Sequence, residues 1–297
     1  TTQYCFKDLV TTKTLAALYD FENAKPLFEG VHRSFKFCLL TMTGRRETAD
    51  AAAFAFFLHD PSEIAAKQFA LTPEEITLLN PNTGTCPVFR TRRDAEITLG
   101  IYRRVPILIK EGDPDGNPWG ISYLAMFHIT NDSNLFVTRD PGSEISWLDD
   151  GRPIIRQSGV EHLQMYQGKY MHHFNHRFST EGPAIQLARA DDVVQPTYWV
   201  AAQEVHERTQ RKGWLHSWVY AFRNIARSTD ERSHIGALVP VTAIGNSAPV
   251  MMTKVAADLP VVAAALSSFA CDFVIRQKLG STTMNFFIVN QTPMPQR

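Results

Sequence analysis

A dense cluster of turn-forming residues divides this chain of 297 residues into two unequal parts. The cluster reads Glu111-Gly-Asp-Pro-Asp-Gly-Asn-Pro, and its glycines and prolines favour turns while they interrupt helices and strands. A chain of this length fits one large or two ordinary domains, at about 100–200 residues per domain. The cluster therefore predicts a domain boundary, with residues 111–297 forming the second domain.

Strands and capped helices are predicted before this boundary. The apolar runs at residues 15–21 and 35–42 are typical of strands buried in a sheet. Thr72-Pro-Glu-Glu75 predicts the start of a helix, because Thr can cap it, Pro favours the first position and Glu completes a capping box. Thr91 predicts the start of a second helix in the same way. Residues 45–110 are therefore expected to form a strand-plus-helix connector.

Strands and helices alternate after the boundary. Residues 217–225 and 236–244 look extended, and residues 284–289 predict a terminal strand. Asp258 can cap a helix, and the apolar residues that follow it predict one helix over residues 259–278. The fold class predicted for the whole chain is mixed α/β, of the α+β kind.

Composition and charge exclude several classes of protein. Lys and Arg number 30, as do Asp and Glu, so bulk charge does not hold this chain to nucleic acid as it holds a histone, and only a local basic face could. The longest apolar run, residues 259–269, is too short for a membrane span of about 20 residues. The cysteines are far apart and form no C-x-x-C pair, which favours unpaired thiols in a cytosolic protein over disulfides or a zinc site.

The usual signatures of enzyme active sites are missing from the sequence. It contains no G-x-x-x-x-G-K-[ST] phosphate loop, no G-x-G-x-x-G, no G-x-S-x-G and no H-E-x-x-H. We therefore assign no catalytic residue and no metal ligand set to this chain.

One cluster of histidines stands out, in Met171-His-His-Phe-Asn-His-Arg177. On a helix, His172 and His176 would share a face, four residues apart, as metal ligands can. On a strand, successive side chains would alternate between two faces instead. Surface polar chemistry, structural histidines and a metal site are the alternatives at this stage.

Positive charge is unevenly distributed along the chain. Residues 152–180 contain Lys169 and Arg177 among their basic side chains, and Glu161 is their one acidic residue. Aromatic residues are interleaved with these charges, which favours a nucleic-acid surface over a solvated face. Residues 90–110 are also basic, and phosphate contacts or structural ion pairs are both open there.

Three further arginines, Arg223, Arg227 and Arg232, flank the predicted capping turn Ser228-Thr-Asp-Glu. The planar guanidinium group suits bidentate contact with phosphate or guanine. Bidentate pairing with Asp230 or Glu231 is the equally weighted alternative.

A series of short motifs runs in order along nearly the whole chain. These motifs are Tyr19-Asp-Phe-Glu-Asn23, Arg33-Ser-Phe-Lys-Phe-Cys-Leu-Leu-Thr41, Leu79-Asn-Pro-Asn-Thr83, Cys86-Pro-Val-Phe-Arg90, Ile101-Tyr-Arg-Arg-Val-Pro106, Asn117-Pro-Trp-Gly120, Met126-Phe-His-Ile-Thr-Asn-Asp-Ser133, Tyr166-Gln-Gly-Lys169, His173-Phe-Asn-His-Arg177, Phe222-Arg-Asn-Ile-Ala226 and Gln291-Thr-Pro-Met-Pro295. In this order they resemble the region that follows the catalytic motif in large adenine-specific DNA methyltransferases. That group includes type IIG and IIL restriction–modification enzymes and BREX-type phage-defence methylases. The chain departs from the pattern at Asn175, where Asp is common, and at Asp230, where Asn is common.

The resemblance implies that the catalytic half of such an enzyme lies outside this chain. These methyltransferases bind S-adenosylmethionine with a Gly-rich strand–loop and hold the flipped adenine with an Asn/Asp-Pro-Pro-Tyr/Phe motif, and neither motif occurs here. Residues 1–44 would be closing strands of the methyltransferase-like sheet, and residues 111–297 the target-recognition domain. The chain begins Thr1-Thr-Gln-Tyr without an initiator Met, so we expect a piece of a longer protein. We expect no bound cofactor and no methyl transfer from this piece by itself.

Double-stranded DNA is the partner that the resemblance implies, together with the missing catalytic half and other defence subunits. The candidate DNA-binding residues are Lys169, His172, His173, Asn175, His176, Arg177, Arg223 and Arg232. One rival hypothesis is a protein-interaction module, which would expose a broad apolar patch. Another is a metal-dependent nuclease that uses His172, His173 and His176 as ligands.

Overall fold

The chain forms two compact units in the computed structural model. The described residues are 2–44, 46–149, 152–180, 186–187 and 196–297. The first unit comprises Thr1–Gly116 and Phe287–Gln296, and the second comprises Asn117–Phe286 and Arg297. The change from one unit to the other at residue 116 falls within the predicted turn cluster. Both units combine helices with sheets, which confirms the mixed α/β class.

A mixed sheet organises the first unit. The elements of this part are helix α1 (Thr2–Thr11), strands β1 (Leu15–Glu22), β2 (Lys36–Met42) and β3 (Ala52–Leu58), helix α2 (Ile64–Lys67), strand β4 (Phe69–Leu71), and helices α3 (Pro73–Leu79) and α4 (Arg92–Tyr102). The sheet order is β2-β1-β3-β4, and β1 is antiparallel to β2 but parallel to β3. Because β3 pairs with β1, the sheet spans the predicted division at residue 44, and residues 1–44 do not form a part of their own.

Local signals in the sequence place the starts of two helices correctly. Thr72 accepts a hydrogen bond from the backbone N–H of Glu75, and the Glu75 carboxylate accepts one from the backbone of Thr72. Thr91 and Asp94 make the same reciprocal pair at the start of α4. These capping boxes satisfy backbone donors that have no partner inside the helix, and both predicted helix starts are confirmed.

Strand β2 lies at one end of the sheet order and exposes apolar side chains on both of its faces. Leu39 is 53% exposed on one face, while Leu40 and Met42 are 43% and 56% exposed on the other. Proteins usually protect the end strand of a sheet with charged residues, prolines or a covering element. An apolar end strand of this kind therefore has the character of an interaction surface.

The second unit is built mainly from short antiparallel strands. Its elements are β5 (Ser122–Leu124), β6 (Phe136–Val137), β7 (Ser146–Trp147), β8 (Pro153–Gln157), β9 (Val160–Tyr166), β10 (Ser179–Thr180), β11 (Gln186–Leu187), β12 (Trp199–Ala201), α5 (Ala202–Gln210), β13 (Trp218–Phe222), β14 (Gly236–Pro240), β15 (Ala243–Ile244), β16 (Val250–Met252), α6 (Leu259–Leu266) and α7 (Phe269–Lys278). One sheet has the order β14-β13-β16-β5, and another has the order β6-β12-β9-β8-β7. Strand β15 adds to the second of these sheets by pairing in parallel with β9, and β10 pairs with β11.

The helix predicted over residues 259–278 is two helices in the structure. The pair Ala256–Leu266 and Phe269–Lys278 is bent by 72°. The bend arises because Ser268 caps α7 by accepting a hydrogen bond from the backbone of Cys271. The Asp258 side chain makes no capping bond and instead pairs with Arg297 at 2.9 Å, so its predicted role as a cap is wrong.

No single helix among the described residues has the length and apolar character needed to cross a bilayer. The bent pair described above meets those two criteria when its halves are taken together. Each half buries apolar residues, among them Leu259 and Val262 in α6 and Val274 and Ile275 in α7.

Residues Phe287–Gln296 lie in the first unit, although the residues before them belong to the second. Helix α8 (Phe286–Asn290) replaces the strand predicted over residues 284–289, and it leads into a segment bonded to the loop after α4. The backbone N–H of Leu108 donates to the carbonyl of Thr292 at 2.9 Å, and the Tyr102 hydroxyl donates to the carbonyl of Gln291. Residues 111–297 are therefore not one domain, in contrast to the expectation from sequence.

The four cysteines, all of which lie among the described residues, form no disulfide bond with one another. Cys5 and Cys38 are exposed, Cys86 is half-buried and Cys271 is buried. Burial raises the pKa of the Cys271 thiol, which disfavours the reactive thiolate form.

Candidate nucleic-acid interface

Residues 170–178 form a tight hairpin that carries the histidine cluster. The backbone N–H of Phe178 donates to the carbonyl of Tyr170 at 2.9 Å and closes the base of this hairpin. Nearer the tip, His172 and Asn175 exchange two backbone hydrogen bonds of 2.7 and 2.9 Å. The segment is therefore neither the helix nor the continuous strand considered from the sequence, and we call it the 170–178 hairpin.

The tip of the hairpin consists of His173 and Phe174. Phe174 has a φ of 59° and is 68% exposed. Bulky side chains rarely adopt a positive φ, and such backbone strain typically costs about 1–3 kcal/mol. The backbone N–H of Phe174 donates to the carbonyl of Gly236 at 3.1 Å, which ties the tip to the start of β14.

Arg223 anchors the start of the hairpin through hydrogen bonds to the backbone. Its Nε atom donates to the carbonyl of Gly168 at 3.0 Å, and its guanidinium group also donates to the carbonyl of Met171. The guanidinium carbon lies 5.7 Å from the centre of the Phe178 ring, within range of a cation–π contact. Burial lowers the pKa of this group. Arg223 thus positions the first limb of the hairpin, a role that the sequence did not suggest.

Further hydrogen bonds join the hairpin to the body of the second unit. The Tyr166 hydroxyl donates to the carbonyl of His176 at 2.6 Å. The backbone N–H of Gly168 donates to the Ser247 hydroxyl at 3.2 Å. A Cβ atom on Gly168 would lie 2.5 Å from the Ser247 carbonyl oxygen, so only glycine fits at this position. These contacts therefore anchor the hairpin to β9 and to the segment before β16.

Three polar candidate residues are exposed in and beside the hairpin, namely Lys169, Asn175 and Arg177. The Asn175 side-chain oxygen accepts a hydrogen bond of 2.8 Å from the backbone of Arg177, a bond that Asp could also accept. The Lys169 ammonium lies 5.2 Å from the centre of the Tyr170 ring. Residues 168–178 contain no Asp or Glu, so the charge presented there is positive.

His172 and His176 lie at the sides of the hairpin and are partly exposed. The His172 ring stacks on Phe178 with 4.6 Å between the ring centres. Burial lowers the pKa of His176, and the nearby charge of Arg177 lowers it further. A neutral imidazole offers one donor and one acceptor, which suits contact with a base edge better than contact with a phosphate.

Arg232 lies away from the exposed face, with a side chain only 13% exposed. Its guanidinium group donates to the carbonyl of Ser267 and stacks on Phe269, with 4.5 Å from its carbon to the ring centre. Its Nε atom is 4.0 Å from Asp272. The pairing with Asp230 or Glu231 considered from the sequence is therefore not the one formed. Asp230 instead accepts a hydrogen bond from the backbone of Arg227, which Asn could also do.

Two histidines lie near Arg232, His234 buried and His173 half-buried. Burial lowers the pKa of His173, and the charge of Arg232 adds to this effect. Burial lowers the pKa of His234 to about 3, and its Nε2 atom is 3.0 Å from the Tyr220 hydroxyl. Burial acts to raise the pKa of Asp272, but hydrogen bonds from Ser233 and Arg276 outweigh it and the pKa is lowered. The cluster therefore contains neutral histidines and an ionised carboxylate at neutral pH.

The histidine cluster does not assemble as a set of metal ligands. Within the part of the chain that the structure describes, no three His, Cys, Asp or Glu side chains are placed to hold a metal ion together. His172 is stacked on Phe178, whereas His173 is turned toward Ser267 and Arg232. The geometry therefore gives no support to the metal-dependent nuclease hypothesis.

The earlier basic stretch, residues 90–110, is largely engaged in ion pairs. Arg92 and Arg93 both pair with Glu96, and Arg103 pairs with Glu75 at 2.9 Å. Lys110 pairs with Asp113, and Arg90 stacks on the Phe57 ring. Of the two alternatives for this stretch, phosphate contacts and structural ion pairs, the structure therefore favours structural ion pairs.

Comparisons with known proteins add no identification. No known protein family matches the chain, and a search of curated proteins finds no match.

Several residues that build the hairpin carried no clear signal in the sequence. In the sequence Phe174 is one of the aromatic residues interleaved with the basic ones, as are Tyr166 and Tyr170, but in the structure the two tyrosines are buried and Phe174 is exposed. Gly168 and Ser247 are 79 residues apart in sequence, so no local pattern could have paired them.

Proposed function

We propose that this chain is the DNA target-recognition portion of a site-specific adenine DNA methyltransferase. The proposed parent belongs to the type IIG/IIL restriction–modification or BREX-type phage-defence group that the sequence resembles. The observation that carries the proposal is the 170–178 hairpin, which is anchored by the hydrogen bonds of Arg223 and Gly168. This hairpin exposes Asn175 and Arg177 to solvent beside the exposed Lys169. Preorganised polar side chains in an acid-free segment suit binding to a duplex.

Each exposed group has a separate role in this proposal. Lys169 and Arg177 contact phosphates, which sets the position of the duplex but carries no sequence information. Asn175, His172 and His176 contact base edges, because their amide and imidazole groups can both donate and accept. Arg223 and Arg232 act indirectly, by holding the hairpin and the start of α7 in place. His173 supports the tip by contacting the Phe174 ring, with 4.3 Å between the ring centres.

The catalytic half of the proposed enzyme is a partner of this chain. It supplies S-adenosylmethionine and the pocket that takes the flipped adenine, and this chain positions the duplex for it. Strand β2 supports this part of the proposal, since it ends the described sheet with Leu39, Leu40 and Met42 exposed. In the proposed parent, residues before about Gly44 continue into the methyltransferase-like sheet.

The experiment that tests the proposal is the salt dependence of duplex binding. Lys169→Ala and Arg177→Ala are compared with the unaltered chain on a mixed-sequence set of short duplexes. Each lost phosphate contact should reduce the slope of log affinity against log salt by about 1. The loss should be similar for all sequences in the set, because phosphate contacts do not read bases.

The control is Lys212→Ala, which removes one positive charge from an exposed lysine just after α5. It should leave the slope as it is in the unaltered chain. Equal slopes for all three variants and the unaltered chain would remove the hairpin from the DNA footprint. Failure of the unaltered chain to bind duplex at low salt would refute the proposed function as a whole.

A second candidate function is a protein-interaction module that docks another defence subunit. The exposed apolar side chains of β2 favour it, because they form the kind of surface that such a module needs. The same binding experiment separates the two candidates. A docking module would show no dependence of duplex binding on Lys169 and Arg177.

A further inference from the structure

The tip of the 170–178 hairpin combines a strained backbone with an exposed aromatic ring. Phe174 has a φ of 59°, a conformation that Gly or Asn adopts with much less strain. The residue is 68% exposed, although phenylalanine side chains are most often buried. Neither the backbone nor the apolar ring favours Phe at this position, so its presence points to a contact made outside the chain.

A second phenylalanine with positive φ shows the contrasting case. Phe57 has a φ of 53° at the irregular end of β3. Its ring lies 4.3 Å from the Arg90 guanidinium carbon and 5.3 Å from the Lys36 ammonium, so two cations cover it. Internal contacts therefore account for Phe57. The Phe174 ring instead contacts the His173 ring at 4.3 Å and leaves most of its surface in solvent.

The tip is also fixed in direction. The backbone pair between His172 and Asn175 sets the turn, and the Phe174 N–H donates to Gly236 at 3.1 Å. An exposed ring on such a support loses little freedom when it binds. The surrounding charge is positive, since residues 168–178 include Lys169 and Arg177 but no acid.

We infer that Phe174 is a wedge that enters the base stack of duplex DNA, between neighbouring base pairs. This inference rests on the proposed function. Apolar side chains that enter a duplex separate two stacked bases and bend the helix, while cations beside them bind the flanking phosphates. The hairpin has this arrangement of one apolar ring with positive side chains in the same short segment. A single ring is too small to anchor a protein on a membrane, which requires a larger apolar face.

The wedge would assist the catalytic half of the enzyme. Flipping an adenine requires that its stacking with the neighbouring base pairs is broken first. A ring that unstacks one step lowers that requirement and holds the duplex open. Phe174 is a positioning residue in this scheme, because the methyl transfer takes place in the other half.

Base unstacking is measured with duplexes that carry 2-aminopurine, whose fluorescence rises when it loses its stacked neighbours. Short mixed-sequence duplexes with the probe at successive positions are titrated with the unaltered chain, Phe174→Asn and Phe174→Leu. Asn tolerates the positive φ but removes the wedge, whereas Leu keeps an apolar wedge on the strained backbone. The control is Leu215→Asn, which removes an apolar side chain that is 80% exposed elsewhere in the second unit.

The unaltered chain should raise the fluorescence at one or a few probe positions, and Phe174→Asn should not. Duplex affinity should fall on the order of tenfold in Phe174→Asn, by analogy with the loss of one aromatic–base stack. Its salt slope should stay the same, because no phosphate contact is lost. Phe174→Leu should retain part of the signal, and Leu215→Asn all of it. Thermal unfolding should show that Phe174→Asn is at least as stable as the unaltered chain.

Two results overturn the inference and can be told apart. If the unaltered chain binds duplex with a salt-dependent affinity but Phe174→Asn has the same affinity and fluorescence, the wedge is wrong and the proposed function stands. If the unaltered chain binds no duplex at any salt concentration, both are wrong.

Discussion

Acid should destabilise the second unit through one buried histidine, His234. Its side chain is buried beside Tyr220, and burial lowers its pKa from 6.5 to about 3. Between these two values the unfolded chain binds a proton that the folded chain does not. The free energy of unfolding must therefore fall as the pH falls through this window. Among the described residues, the Nδ1 atom of His234 has no hydrogen-bond partner, so no hydrogen bond would satisfy a proton there, and the Asp272 carboxylate offsets the cost of burying this charge only in part.

The size of the effect follows from the pKa difference. A pH of about 5 lies roughly 1.5 units below the ordinary pKa of histidine, and each unit corresponds to about 1.4 kcal/mol. His234 alone should therefore reduce the free energy of unfolding by about 2 kcal/mol between pH 7 and about pH 5. This is a large share of the roughly 5–15 kcal/mol that stabilises a typical domain. His173 and His176, whose pKa values are also lowered by burial, act in the same direction.

The assay is urea unfolding of the chain at several pH values, followed by tryptophan fluorescence. His234→Gln removes the titrating group but keeps a hydrogen-bonding side chain next to Tyr220. The variant should be less stable than the unaltered chain at neutral pH, but its stability should fall by about 2 kcal/mol less on acidification. His216→Gln, at an exposed histidine, is the control for the substitution itself. If His234→Gln and the unaltered chain lose the same stability over this range, His234 is not the source and the reasoning is refuted.

Two further predictions concern backbone contacts. Gly168→Ala should destabilise the second unit by about 1–3 kcal/mol, because the new Cβ would meet the Ser247 carbonyl oxygen at 2.5 Å. The substitution should also weaken duplex binding. An unchanged melting temperature would contradict the close approach between Gly168 and Ser247. Thr91→Ala should destabilise the first unit by about 1 kcal/mol, because it removes the capping box with Asp94. Thr91→Ser keeps the capping hydroxyl and should not destabilise this unit. Equal unfolding midpoints for the two variants would contradict the capping role.

Features that depend on neighbouring residues could be predicted from the sequence. The capping boxes at Thr72 and Thr91 were predictable because each partner lies three residues away. Strands β1 and β2 were predictable because their apolar runs are continuous, but the burial expected of β2 is wrong, since most of its side chains are exposed. The apolar run after Met284 was misread as a strand, since a short run of this kind is equally compatible with a buried helix.

Features that depend on distant residues could not be predicted. Arg223 bonds to Gly168, 55 residues earlier, and Arg232 bonds to Ser267, 35 residues later. In the sequence both looked like exposed cations, because nothing near them reveals these acceptors. The exposure of Lys169, Asn175 and Arg177 agrees with their selection as candidate contacts, but whether they bind DNA is a matter for the binding experiments.

The return of Phe287–Gln296 to the first unit affects how the chain folds during synthesis. Tyr102 and Leu108 are synthesised well before Gln291 and Thr292, whose carbonyls accept their hydrogen bonds. Roughly 180 residues lie between them, which takes on the order of 10 to 35 seconds at the usual rates of translation. During that interval the second unit can fold while the first remains incomplete. A circular permutant that moves Phe287–Gln296 in front of Thr1 would remove the delay and let the first unit fold first.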